Sequence, residues 1–230
     1  MATVVPAPPR RPIKALRVVV GILVLIMLGA VVRRMVIDVP NVIAGTLPEA
    51  TYDVRFVRHH WIAYLHIGPG ALYLLGACLQ LAYRFRSRHY TFHRRLGRVL
   101  VGTALLSGVF AIVIGILFPF GGIVHGAAAV VFGLWFITCL ILAVRAIRRD
   151  DMFHHRRWMI RAFAVGIAVG TIRIWVGLFL GLGLLDFEDA FAPAFWISFS
   201  LHAAAAELWL RRFPNPPELA QPATPALAVT

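Results

Sequence analysis

Charge is what this sequence has least of. Asp, Glu, Lys and Arg make up 14% of its 230 residues, where a soluble domain carries about a quarter. Acidic side chains are scarcer still, 10 against 23 Lys and Arg, and residues 99–144 contain no charged side chain at all. A chain that is 60% hydrophobic with mean hydropathy +0.80 cannot hide that surface inside a water-soluble core of this size, so lipid must be its solvent. The two cysteines, Cys78 and Cys139, lie inside apolar runs; they offer no disulfide or zinc spacing and read as small buried hydrophobes. No phosphate-binding glycine loop, serine–histidine–acid set or intramembrane carboxylate pair is present, so neither an ATPase nor a hydrolase is expected. The net charge of +13 would suggest nucleic acid in a soluble protein. Here the arginines sit in short clusters between apolar runs, with no aromatic-interleaved basic face, and no nucleic-acid partner is expected.

What is present is a succession of segments long enough to cross a bilayer. About 20 apolar residues span some 30 Å of hydrocarbon. The sequence predicts an all-α membrane protein with six transmembrane helices over about 15–37, 61–83, 96–118, 122–146, 158–182 and 191–210. The uncharged run from 99 to 144 is too long for one span, and Phe118-Pro119-Phe120-Gly121-Gly122 divides it. The first segment resembles a signal peptide in length, but no small-residue cleavage site precedes Arg33, so it reads as a retained anchor. The Pro/Ala-rich ends, 1–14 and 213–230, read as disordered cytoplasmic tails.

Arginine placement predicts orientation. Arg10, Arg11, Lys14 and Arg17 precede the first span; Arg84, Arg86, Arg88, Arg94, Arg95 and Arg98 join the second to the third. Arg145, Arg148, Arg149, Arg156, Arg157 and Arg161 join the fourth to the fifth, and Arg211 and Arg212 follow the sixth. With six spans these 18 of 23 basic residues fall on one side, so the positive-inside rule makes both termini cytoplasmic. The expected location is the bacterial inner membrane, and the expected partners are the lipid bilayer and a redox partner or membrane complex.

The chemistry rests on the polar residues inside the spans. His59, His66, Tyr73 and Gln80 recur every seven residues, interleaved with Ala63, Gly70 and Ala77; the next span carries His93, Gly97, Ala104, Gly108, Ala111 and Gly115. Small residues at this spacing let helices pack closely, or let a flat cofactor approach. A weak internal repeat is visible. His66 is followed 27 residues later by His93-Arg94-Arg95, and His125 is followed 30 residues later by His155-Arg156-Arg157. A duplication of this kind makes helices two to five a four-helix bundle with a pseudo-two-fold axis along the membrane normal. Its diagonals aim His66 at His125 near the outer face and His93 at His155 near the inner face. Two such pairs suit two bis-imidazole haem b groups, with the histidines as iron ligands. Arg173 lies 18 residues after His155, five full turns on, and so shares its face, at the depth expected for His66 and His125. An arginine there needs an anionic or polar partner, such as a haem propionate, a lipid phosphate or a bound substrate, or an outward reach to Asp186 or Glu188. His202 lies near the middle of the last span, one turn after Ser198, without a counterpart in the repeat. His59, His60, His89 and His154 sit among arginines and aromatics at the interfaces and read as solvated.

The segments His66-Ile67-Gly68-Pro69-Gly70-Ala71-Leu72, His93-Arg94-Arg95-Leu96-Gly97-Arg98 and His155-Arg156-Arg157-Trp158-Met159-Ile160-Arg161, ending at Arg173, resemble a bacterial family of predicted membrane proteins, domain of unknown function 2306. That resemblance covers helices two to five and implies a multi-pass membrane protein without an assigned activity. The order of histidine-bearing helices is also similar, by arrangement alone, to two-haem transmembrane b-type cytochromes. Three functions fit the sequence. The first is haem-mediated electron transfer through His66, His125, His93 and His155. The second is a transporter or channel for an anion or protons using His66, Arg173 and His202. The third is a non-catalytic membrane scaffold.

Overall fold

The computed structural model describes residues 13–82, 85 and 88–213, and every regular element among them is a helix. The proposed tails at 1–12 and 214–230 lie outside the described residues. In chain order the elements are α1 (Ile13–Ala44), α2 (Thr51–Arg58), α3 (His60–Leu81), α4 (Tyr90–Leu117), α5 (Gly122–Ile147), α6 (Met152–Gly181) and α7 (Phe191–Arg212). Five of them, α1, α3, α4, α5 and α6, are long and apolar enough to cross a membrane. Helix α7 has 22 residues, a sufficient length, but it is not among the five. Ser198, His202 and Glu207 interrupt its apolar run.

Several helices outrun the apolar segments that predict them. Helix α1 continues through Pro40 to Ala44, and the Asn41 side chain donates to the Ile37 carbonyl at 2.8 Å beside the proline. Helix α6 starts at Met152 because Asp151 caps it, its carboxylate accepting from the His154 amide at 2.9 Å. The break after α4 is made by Pro119 and by Gly122, whose φ of +67° an L side chain rarely adopts. The eight-residue α2 has no counterpart in the sequence expectation.

Consecutive helices α3, α4, α5 and α6 pack against their neighbours in turn, and α3 meets α6 to close a four-helix ring. Helix α6 is the hub, because α1 and α7 also pack on it. Glycines set the closest approaches. A Cβ on Gly126 would lie 2.5 Å from the Gly115 carbonyl oxygen, so α4 and α5 meet backbone to backbone there. A Cβ on Gly170 would lie 2.8 Å from the Leu23 carbonyl oxygen, which is how the otherwise exposed α1 docks on α6. The ring is filled with side chains. Tyr73 and Phe136 meet edge to face at 5.6 Å between α3 and α5, and Gly166 of α6 leaves room for the tyrosine. Outward-facing side chains such as Leu25, Ile43, Ile123 and Leu208 are large, apolar and exposed, the reverse of a soluble domain.

Candidate functional site

At the α2 end of the bundle the structure gathers three of the sequence-predicted residues into one electrostatic neighbourhood. The charge of Arg173 on α6 reaches both His66 on α3 and His125 on α5. Pro69 and Gly70 follow His66 within one turn, and the missing side chain at Gly70 admits Ser107 of α4, whose Oγ would lie 2.7 Å from a Cβ there. The His66 ring Nδ1 therefore lies 3.0 Å from the Ser107 carbonyl oxygen, while the Ser107 hydroxyl donates to the His66 carbonyl at 2.8 Å. A carbonyl can only accept, so Nδ1 carries the proton, and neutral His66 keeps Nε2 as an acceptor.

His125 has the opposite tautomer. Its Nδ1 accepts from the Gly121 amide at 3.2 Å, which leaves the proton on Nε2 in the neutral ring. The ring is buried and lies edge-on against Phe195 of α7 at 4.2 Å, with Phe191 at 5.8 Å. The repeat seen in sequence thus places two histidines at matching positions with opposite hydrogen-bonding roles.

Arg173 is half-buried, eight residues short of the end of α6. That is about 12 Å along the axis. No ion pair or hydrogen bond to a described residue engages it, and neither Asp186 nor Glu188 pairs with it. Other arginines near the helix ends are neutralised or capped. Arg33 and Arg34 bind Asp53, Arg34 also lies 3.3 Å from the fully buried Asp38, and Tyr64 donates to Asp38 at 3.4 Å. Arg161 makes a two-pronged pair with Glu207 at 2.5 and 3.0 Å, and Arg157 donates to the Leu210 carbonyl at 3.2 Å.

Helix α2 closes this end. Arg55 donates to the Phe118 carbonyl at 3.0 Å, His59 stacks on Phe118 at 4.0 Å, and Tyr52 joins an aromatic cluster with Phe56, Phe120, Phe187 and Phe191.

The remaining candidates lie apart from this group. The His155 ring Nδ1 donates to the Ala143 carbonyl at 3.0 Å, and Gln80 donates to the His93 carbonyl at 3.2 Å. Helices α4 and α6, which carry His93 and His155, are not among the packed pairs. His202 is held by Thr171 at 2.8 Å in the α6–α7 seam. Thr171 and Arg173 are two residues apart, about 200° around α6, so His202 and Arg173 occupy different faces. Among the described residues no cluster of three or more His, Cys, Asp or Glu has metal-binding geometry. Sequence reasoning missed Ser107, although it falls one turn after Ala104 in the small-residue stripe of α4. It also missed the buried Asp38 and Asp53.

Residues 63–210 match the family described as "Predicted membrane protein (DUF2306)", which spans all four helices of the ring and most of α7. No curated protein and no solved structure gives a significant match.

Proposed function

The chain belongs to the DUF2306 family of predicted membrane proteins, and from that premise we propose that it is a six-span protein of the bacterial inner membrane that binds a small anion at Arg173 together with a proton at His66. Both termini are cytoplasmic in this reading, which puts α2 and the Arg173 site in the outer half of the bilayer. The observation that carries it is Arg173 itself: a guanidinium inside an apolar helix, without a described counter-charge, whose field reaches two histidines. A cation in that position is costly unless an anion joins it.

The histidine tautomers assign the roles. Neutral His125 offers an Nε2–H donor to an anion. Neutral His66 offers only a lone pair, so it contributes a donor only after taking a proton. Arg173 and an imidazolium at His66 repel one another, and an anion between them turns that repulsion into attraction. Anion and proton therefore strengthen each other's binding, by the reciprocity of linked equilibria. His202 faces the α6–α7 seam and takes no part.

Purified protein in phosphatidylcholine vesicles tests this, with an inward gradient of chloride, nitrate, sulfate or phosphate and a pH-sensitive dye inside. At least one anion should drive internal acidification. Arg173→Gln should abolish it, and His66→Gln should abolish the proton signal while anion binding persists. Acidification by Arg173→Gln vesicles at the wild-type rate would overturn the assignment.

A second function, electron transfer through haem b, draws support from one feature. His66 and His155 each donate Nδ1–H to a backbone carbonyl, which is how a protein fixes an imidazole that ligates iron through Nε2. It requires His125 to give up its bond from Gly121, and Tyr73 and Phe136 to part. An oxidised-minus-reduced optical spectrum decides it: a flat one, from protein made in haem-replete cells, excludes haem.

A further inference from the structure

We infer that Arg55 on α2 is a second oxyanion-binding residue, an outer subsite through which an anion reaches Arg173; this rests on the anion reading of Arg173 above. Four arginines stand at the α2 end outside the bundle core: Arg33, Arg34, Arg55 and Arg58. Arg33 and Arg34 are neutralised by Asp53 and Asp38, and Arg58 is exposed. Arg55 differs from all three. It is half-buried, its Nη1 donates to the Phe118 carbonyl, and its buried Nε has no hydrogen-bond partner among the described residues. Glu188 is near enough for its charge to be felt, but no ion pair joins the two. A neutral carbonyl oxygen leaves the guanidinium's charge uncompensated.

The surroundings of Arg55 keep that charge effective. Its guanidinium carbon lies 4.0 Å from the Phe120 ring centroid and 5.6 Å from that of Tyr52, both part of the aromatic cluster that excludes water. Low local dielectric strengthens attraction for an incoming anion. The route inward is continuous, because His125 lies within the field of Arg55 on one side and of Arg173 on the other. His125 also holds an Nε2–H donor in its neutral form. An oxyanion can therefore pass between two cations without losing a partner. A planar guanidinium with a free donor edge suits an oxygen pair, as on phosphate, better than a spherical halide. That oxygen pair belongs equally to free inorganic phosphate and to a phosphodiester headgroup.

The test is equilibrium binding of radiolabelled inorganic phosphate to the full chain in nanodiscs, made either of phosphatidylcholine alone or with phosphatidylglycerol added. In phosphatidylcholine discs, Arg55→Gln should weaken phosphate binding about tenfold or more, with Arg55→Lys intermediate and the melting temperature of all three proteins in phosphate-free buffer alike. Phosphatidylglycerol that competes with phosphate in the wild type, and competes less in Arg55→Gln, identifies the headgroup as the natural occupant and also supports the subsite. Wild-type affinity in Arg55→Gln, with binding lost in Arg173→Gln, overturns the Arg55 assignment and leaves the Arg173 site standing. Absence of phosphate binding and of phosphatidylglycerol dependence in the wild type overturns both. Should Arg55→Gln melt early, Arg55→Lys alone decides: unchanged stability with weakened binding supports the subsite, and unchanged binding overturns it.

Discussion

The Ser107 hydroxyl donates to the His66 carbonyl at 2.8 Å while the Ser107 carbonyl accepts from the His66 ring at 3.0 Å, so one residue of α4 grips both the backbone and the side chain of one residue of α3. Gly70 makes that grip possible, since a Cβ there would sit 2.7 Å from Ser107 Oγ but 3.7 Å from its Cβ. Gly70→Ala should therefore destabilise the protein by about 1–3 kcal/mol through overpacking. The same change made in a Ser107→Ala background should cost measurably less, because the clashing oxygen is gone. A double-mutant cycle on thermal unfolding in nanodiscs measures that coupling. Additive effects would show that Gly70 and Ser107 do not constrain each other.

The acidic clasp of α2 makes a different prediction. Burial pushes the Asp53 carboxyl up, but the hydrogen bond from Arg33 and the charge of Arg34 outweigh it and hold the group below its ordinary value of 3.8. A depressed carboxyl contributes its stability above that ordinary value and loses it as pH falls through the lower one. The clasp should thus hold throughout the neutral range and release α2 only in strong acid. Asp53→Asn leaves Arg34 buried with only Asp38 for counter-charge and should cost about 3 kcal/mol. Arg33 is 52% exposed, so Arg33→Ala should cost no more than about 1 kcal/mol. Comparing the two melting curves checks the contrast.

Much of this arrangement is legible in the sequence, and the rest fails for identifiable reasons. Apolar length alone reveals α1 and α3 to α6, because in lipid the backbone must satisfy its own hydrogen bonds over a whole span. The stripe of small residues in α4 announces a close contact, and Gly115 realises it against Gly126. Arg173 is conspicuous because no neighbouring residue in sequence can neutralise it. Helix α2 is not legible: eight residues with three charges read as loop, and its helicity depends on aromatics contributed by the 118–120 break and the start of α7. Asp38 and Asp53 look like dilute loop charges until Arg34 of α1 reaches both. The Arg161–Glu207 pair spans 46 residues, and no periodicity connects them.

Helix α1 depends on one glycine. It exposes most of its apolar surface, and its backbone touches α6 where Gly170 faces the Leu23 carbonyl. The atom a new Cβ would meet is backbone, so no rotamer change relieves it. Gly170→Ala should push α1 away at that level. A disulfide between cysteines introduced at Val24 and Val169, both packed on the same core cluster, reports the contact in a background with Cys78 and Cys139 replaced. Its yield should fall in the Gly170→Ala protein, while the α4–α5 contact at Gly115 and Gly126 stays intact. Equal yields would show that α1 docks by some other contact.

The status of α7 decides which side of the membrane the C-terminus occupies, and charge and length pull on that question together. Its 22 residues rise about 33 Å, enough to cross, and its polar groups are largely engaged from within the protein. His202 binds Thr171, and Glu207 binds Arg161 on the membrane-spanning α6. Pairing of this kind lowers the cost of a polar side chain in lipid. The helix ends in Arg211 and Arg212, which a cytoplasmic exit would favour. A green fluorescent protein fused after Arg212 should therefore fluoresce, and alkaline phosphatase fused at the same point should be inactive. In the loop between α6 and α7, at Asp186, the phosphatase should be active. Replacing Arg161 and Glu207 together by leucine should preserve this pattern, since it removes a paired charge without leaving a lone one. Phosphatase activity at both points would make α7 a helix lying on the outer surface and reduce the spans to five.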